Sequence, residues 1–241
     1  MLPAQETGRQ NFDWNPVLDS NQAVTIHGVS YMPECALHDW NIRCAPKQKA
    51  DRTRFEVRQG DQWDEDRNSG ENKERSELDG YKTTWTSSAD VWCAYSFLIE
   101  PGPRCRSDWC AIGQMHATRG DVKPLHFHFN DEKLVIYSEA SDARTPPIAT
   151  KHYQEPLARS IWHHMVFHMR QHPTTGRLEV WLDDARIVDF SGPMGGATAY
   201  YWKFGIYRGY GPIATPLAVE FANMEIGTAD LTPRIAKPLA P

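Results

Sequence analysis

Positive charge is scarce in this 241-residue chain: 26 Lys and Arg stand against 31 Asp and Glu, a formal charge of −5 with a pI near 6.1. Nucleic-acid binders need an excess of cations over a broad surface, so that class is excluded and any polyanionic partner has to be held in a local groove. Long apolar runs are also missing. Nothing approaches the ~18 to 20 residues of a membrane span, which excludes a membrane partner. The opening MLPAQETGRQ has no apolar core like that of a secretory signal. The expected compartment is therefore extracellular or periplasmic if a signal has been removed, and cytoplasmic otherwise. Repeats and heptads are absent, and a monomer is expected.

The five cysteines, Cys35, Cys44, Cys93, Cys105 and Cys110, include no paired C-x-x-C, which argues against a thiolate zinc site. Cys35 with Cys44, and Cys105 with Cys110, are spaced to close short loops by disulfides, leaving Cys93 as a buried thiol; five reduced cysteines are the alternative. His164 and His168 lie four apart, but the glutamate that helical zinc motifs require after the first histidine is missing. Strand alternation is the better account of WHHMVFHMRQH (162–172), with GRLEVWLDDARIV as its hairpin partner. The most charged stretch, QGDQWDEDRNSGENKE (59–74), reads as a mobile loop. Its Asp61, Asp64, Glu65 and Asp66 are candidates for a structural calcium, although the spacing is not that of an EF-hand.

What the chain does have is aromatics and turn formers: 9 Trp, 9 Tyr, 9 Phe, 17 Pro and 16 Gly. That mixture suits many short strands joined by turns, and the length fits one domain with a buried core. Strands are expected near 24–31, 53–58, 74–79, 91–99, 110–117, 124–129, 133–137, 161–170, 177–182, 186–190, 199–208 and 217–226. PGPR, HPTTG and SGPMGG read as turns, and residues 1–20 and 232–241 as an irregular lead-in and tail. Long helices are not expected.

Four of these strands carry long polar side chains at every second position: Arg54, Glu56, Arg58; Arg75, Glu77; Gln114, His116; and Tyr201, Lys203, Tyr207, with Gly205 between the last two. Alternate positions share one face of a strand, so each segment presents cations, an amide, an imidazole or phenols on a single surface. The intervening Phe55, Val57, Leu78, Met115, Trp202, Phe204 and Ile206 form the matching core-facing side. Such a surface is suited to gripping an acidic sugar. His126 and His128 are a further same-face pair that either lines a groove or faces solvent.

ERSEL (74–78), GQMH (113–116) and YWKFGIYR (201–208), in that order along the chain, resemble the three signature strands of the jelly-roll polysaccharide lyases: the family 7 alginate lyases, the family 20 glucuronan lyases and heparin lyase I. Here Met115 holds the middle of the Q-(I/V)-H element and Trp202 replaces the usual phenylalanine of Y-F-K-x-G-x-Y. Arg208 and Gly209 stand where the alginate lyases commonly have Asn-Gln, which is closer to the glucuronan and heparin lyase-like branch.

The resemblance implies an all-β jelly roll of two antiparallel sheets with a concave groove, and β-elimination within a uronate polymer with no cofactor needed for the chemistry. Glucuronan is the first choice, alginate the second and a heparin-like glycan the third. Tyr207, His116, Arg75, Gln114 and Lys203 are the implied catalytic residues. Arg75 and Gln114 are expected to meet the substrate carboxylate, and Tyr207 to transfer the proton. Lys203 lies roughly 13 Å from Tyr207 along the strand, at ~3.3 Å per residue, and can support it only if the two side chains lean together. Substrate binding is assigned to Arg54, Arg58, Glu77, Tyr201, Arg208 and His128, and Gly205 is expected to leave room for a sugar ring.

Taken singly, these segments also read as cross-strand ion pairs, a solvated face and packed tyrosines; their coincidence favours a lyase groove. A glycan-binding module on the same scaffold would not require Tyr207 together with His116. A retaining hydrolase would need two carboxylates about 5 to 5.5 Å apart, and no strand offers the Glu-x-Asp-x-x-Glu pattern that usually supplies them.

Overall fold

The computed structural model describes residues 13–45, 51–120, 122–141, 147–209 and 215–241, so the first twelve residues of the expected lead-in lie outside it. The chain runs through β1 (Asn15–Pro16), β2 (Val24–Ile26), β3 (Val29–Cys35), β4 (Ile42–Cys44) and β5 (Arg52–Val57), then the short helix α1 (Asp64–Asn68). There follow β6 (Lys73–Asp79), β7 (Asp90–Ile99), β8 (Cys110–Ala117), β9 (Leu125–Asn130), β10 (Lys133–Ala140) and β11 (Ile148–Pro156). The last stretch holds β12 (His163–Arg170), β13 (His172–Leu182), β14 (Ala185–Met194), β15 (Tyr200–Gly209), β16 (Leu217–Gly227) and the short helix α2 (Pro233–Ala236). No helix among the described residues is long and apolar enough to cross a membrane.

The strands pair antiparallel into two eight-stranded sheets. The front sheet has the order β11-β10-β9-β8-β15-β6-β3-β2, and the back sheet β1-β4-β5-β16-β7-β12-β13-β14. Their inner faces meet through the residues that alternation assigned to the core. Phe204 of the front sheet lies 5.2 Å from Phe221 and 5.3 Å from Phe55 of the back sheet, and Phe127 lies 5.4 Å from Phe167. Each such side chain, fully withdrawn from water, contributes roughly 1.5 to 3 kcal/mol. The larger Trp202 is accommodated because position 113 is glycine: a Cβ there would meet the indole at 2.6 Å.

Several local expectations are corrected. The charged stretch 59–74 contains α1, and Asp61 and Asp66 are buried among protein partners. HPTTG and most of SGPMGG belong to β13 and β14, with a register shift between His172 and Gly176. The edge strand β11 was not anticipated, because its mostly exposed, polar residues show no apolar alternation. The tail holds α2 and is tied down by the Asn223 amide, which donates to the carbonyls of Leu239 and Ala240. All five cysteines are free: Cys35 and Cys44 sit in opposite sheets, while the buried thiols of Cys105 and Cys110 interact without a bond.

Candidate active site

Register across the front sheet assembles the site. On β15, Tyr201 pairs with His116 and Lys203 with Gln114 of β8; on the other side, Lys203 pairs with Asp79, Gly205 with Glu77 and Tyr207 with Arg75 of β6. One strand further out, Glu34 of β3 pairs with Glu77, and on the opposite flank His126 of β9 pairs with Gln114 and His128 with Ala111. Same-parity residues on neighbouring strands therefore form a grid on the face turned away from the core. Over it lies a groove of about 530 Å³, lined by Arg75, Gln114, His116, Lys203 and Tyr207. Lys73, Trp109, Lys123, His126 and His128 form its flanks.

The floor of this groove is a buried ionic network. Arg75 donates from Nε and Nη2 to the two carboxylate oxygens of Asp66, at 2.9 and 2.8 Å, and from Nη1 to Glu34 at 2.5 Å. Lys203 donates to the same Glu34 oxygen at 2.5 Å, with Glu77 and Asp79 each at 3.5 Å. Gln114 donates to Glu77 at 2.8 Å. Burial pushes the Glu34 carboxyl up, but Lys203 and Arg75 outweigh it and hold it at about 2. Asp79 has Lys203 as its cation and shares a hydrogen bond with Glu34, so burial wins and lifts it to about 7.

Tyr207 lies above this floor. Its ring rests on the Arg75 guanidinium at 3.8 Å, with the Trp109 ring edge-on at 4.7 Å and the Lys73 ammonium 5.6 Å from the ring centre. Burial raises the phenol above its ordinary value, while Arg75 and Lys73 pull it back only in part. His116 donates from Nδ1 to the Ala117 carbonyl at 2.9 Å; a carbonyl only accepts, so Nδ1 carries the proton and Nε2 is the basic nitrogen of the neutral ring. Tyr201 stands beside His116, its ring centre 5.5 Å away, and burial raises its phenol to about 12. Burial, with His126 beside it, lowers His128 to about 3, so His128 is uncharged at neutral pH.

Four expectations fail here. Arg54 and Arg58 are not in the groove, because β5 belongs to the back sheet: Arg54 forks onto Glu100, and Arg58 binds Glu56 and stacks on Trp40. Arg208 has the core parity of Trp202, Phe204 and Ile206; it is 0% exposed and bonded to Glu74 and the Thr215 carbonyl. Gly205 does not leave space for a sugar. Its φ is +132° and a Cβ would sit 2.3 Å from the Ser76 carbonyl oxygen and 2.8 Å from Glu77 Cα, so glycine is required by the close approach of β6 at a bulge. Lys203 does not lean towards Tyr207 but towards Glu34.

Arg75 is brought to the groove with its fork already occupied by Asp66 and Glu34, so bidentate capture of a ligand carboxylate would first have to break a buried ion pair. Glu77, 1% exposed, lies beneath the site rather than in it. Sequence reasoning missed Glu34, Asp66, Lys73 and Trp109. Lys73 shares the parity of Arg75 and Glu77 and could have been read from it; Asp66 comes from a helix with no alternation to read.

A model of the polysaccharide lyase family matches residues 41–225. Among solved structures, a family 7 alginate lyase in complex with a product, GGG, superposes with a TM-score of 0.58 at 12% identity, covering 80% of this chain and 85% of its own. The alginate lyase from Corynebacterium sp. gives 0.54 at 14% identity over 78% and 81%, and a marine family 7 alginate lyase from Zobellia galactanivorans 0.52 at 13% over 80% and 82%. At these identities the likeness is one of fold, a two-sheet jelly roll. No curated protein sequence matches.

Proposed function

The chain belongs to the polysaccharide lyase family, and we propose that it cuts within a uronic-acid polymer by β-elimination, using the groove on the front sheet. One observation carries this reading: an amide, an imidazole and a phenol from two neighbouring strands share a single groove over a guanidinium and an ammonium. The reaction removes the C-5 proton of a uronate, forms the C-4=C-5 double bond and expels the oxygen at C-4. Its obstacle is the charge built onto a carboxylate that is already anionic. Gln114 has a second amide hydrogen beyond the one given to Glu77, and we assign it to the substrate carboxylate and the enolate-like transition state; losing such a donor costs about 10²- to 10³-fold in rate. Arg75 and Lys203 then have a different task from direct capture: paired with Asp66, Glu34 and Glu77, they fix the floor of the groove.

Where the C-5 proton and the C-4 oxygen lie on opposite faces of the ring, as in guluronate and iduronate, His116 Nε2 takes the proton and the Tyr207 hydroxyl protonates the leaving oxygen. Where they share a face, as in glucuronate and mannuronate, a Tyr207 phenolate takes the proton and returns it to the leaving oxygen. Both routes use the same side chains.

Glucuronan is the first polymer to test, then alginate, then a heparin-like glycan. The Arg208-Gly209 pair no longer supports that order, because Arg208 is part of the core. Charge supports only the last place of the heparin-like glycan: an acidic chain with Glu71 and Glu139 lining the groove suits carboxylates alone better than dense sulfation, and does not rank glucuronan against alginate. Incubation with glucuronan, alginate, heparin and hyaluronan, followed by ultraviolet absorbance of the new double bond, tests class and substrate together. Tyr207→Phe is expected to lower turnover by about 10²-fold or more while polymer binding persists. An unchanged rate would remove Tyr207 from the chemistry, and no absorbance on any polymer would favour a binding module.

A further inference from the structure

Arg75 lies directly beneath the Tyr207 ring, yet it is poorly placed to balance a negative charge there. Its guanidinium already faces both oxygens of Asp66 and one of Glu34, with Glu77 at 3.6 Å. Those carboxylates offset part of the field by which the guanidinium favours a phenolate above it. The second cation near Tyr207 is in another situation. Lys73 opens β6 on the groove face, two residues before Arg75, and among the described residues its ion pair is with Glu71 at 2.5 Å. The Glu71 side chain is 46% exposed, so water weakens its hold on the ammonium. The Lys73 ammonium is also close enough to the phenolic oxygen to interact with it.

We propose that Lys73 is a catalytic residue, its ammonium supplying the countercharge for the Tyr207 phenolate that takes the proton from C-5. This rests on the reading of Tyr207 given above and matters most for sugars whose proton and leaving oxygen share a face. The step balances within the site: Tyr207 gives its proton to solvent before the encounter, the phenolate accepts the C-5 proton, and the resulting phenol returns it to the C-4 oxygen as that bond breaks. The groups that face the phenol are Lys73 and Arg75 from β6, Asp66 from α1, Glu71 from the loop before β6, Trp109 ahead of β8 and, across Ala111, His128 of β9. Of these, His128 is uncharged at neutral pH, and Asp66 and Glu71 oppose ionisation. Arg75 and Lys73 both favour it, and Lys73 is the one whose counter-ion is open to water.

The test uses the full chain as Lys73→Met, Lys73→Arg and Tyr207→Phe. Ultraviolet titration of phenol ionisation, with Tyr207→Phe subtracted, isolates the Tyr207 curve without reference to activity. Lys73→Met is expected to move that curve to higher pH by about one unit or more. On the polymer that is cleaved, it should lower kcat at neutral pH about tenfold or more, with KM within about twofold and the ascending limb of the pH profile displaced to higher pH by the same amount. Lys73→Arg should restore most of both. An unmoved Tyr207 curve, or an unchanged kcat beside an inactive Tyr207→Phe, overturns the assignment of Lys73 alone. If Tyr207→Phe itself remains active, the role of Tyr207 fails first and takes that of Lys73 with it.

Discussion

Replacing Arg75 by methionine keeps most of the side chain's apolar length and removes only its charge and donors. The structure says what would be stranded: Asp66 loses two hydrogen bonds, Glu34 loses one, and Glu77 loses a neighbouring cation, all below the surface. Breaking a buried ion pair from one side typically costs about 3 to 5 kcal/mol. For a chain of this size that is a fall in Tm of roughly 6 to 20 °C, at about 2 to 4 °C per kcal/mol. The loss should depend on pH in a definite direction. Glu34 is held at about 2, against an ordinary 4.5, so its contribution is present above about pH 4.5 and disappears as pH falls towards 2. Thermal melts of Arg75→Met and the unaltered protein from pH 3 to pH 8 should therefore differ most above pH 5 and converge on acidification. A gap below about 2 °C at neutral pH, or one that stays constant down to pH 3, would refute the view that Arg75 exists chiefly to neutralise the floor.

Asp79, lifted to about 7 by burial, has the opposite sign: what its carboxyl contributes is present below its unfolded value and is lost as pH rises through 7. Asp79→Asn keeps an acceptor for the Tyr81 N–H and is expected to raise Tm by an amount that grows from about pH 4 to about pH 7 and levels off above; a lower Tm at pH 8 would contradict this. Gly205→Ala forces a Cβ to 2.3 Å from a carbonyl oxygen at a φ of +132°. Strain and overpacking together should cost about 2 to 6 kcal/mol, and an alanine variant that melts with the parent would show that β6 can yield.

Much of the site was legible because an outward-facing polar surface leaves a period of two in the sequence. The parity of Arg75, Glu77, Gln114, His116, Tyr201, Lys203 and Tyr207 is the parity of the front sheet's outer face. The same period misled at Arg54 and Arg58, since alternation gives the face of a strand but not the sheet that strand joins. Arg208 differs for another reason: its parity with Trp202, Phe204 and Ile206 points inward, against the substrate-binding role that the family resemblance implies. Glu34 also has a readable parity, opposite to Tyr31 and Cys35, but a lone carboxylate beside Pro33 in a strand expected to end near residue 31 gave no reason to look. Asp66 and the exposed edge strand β11 carry no periodic signal, and only the fold reveals what they touch.

Depth sorts the charges of the groove into two classes with different work. Arg75 and Lys203 are nearly inaccessible and face Asp66, Glu34 and Glu77, so the floor carries two positive charges against three negative ones while Asp79 holds its proton. A floor of that composition cannot attract a polyanion; it can hold Gln114 and Tyr207 in position, since every carboxylate in it is tied to at least one donor. Attraction has to come from the rim, where Lys73 and Lys123 line the groove. Rim charges are screened within about 8 Å at physiological ionic strength. Added salt should then raise KM for the polymer while leaving kcat nearly unchanged. A fall in kcat with salt at constant KM would mean instead that the buried network, and not the rim, meets the substrate charge.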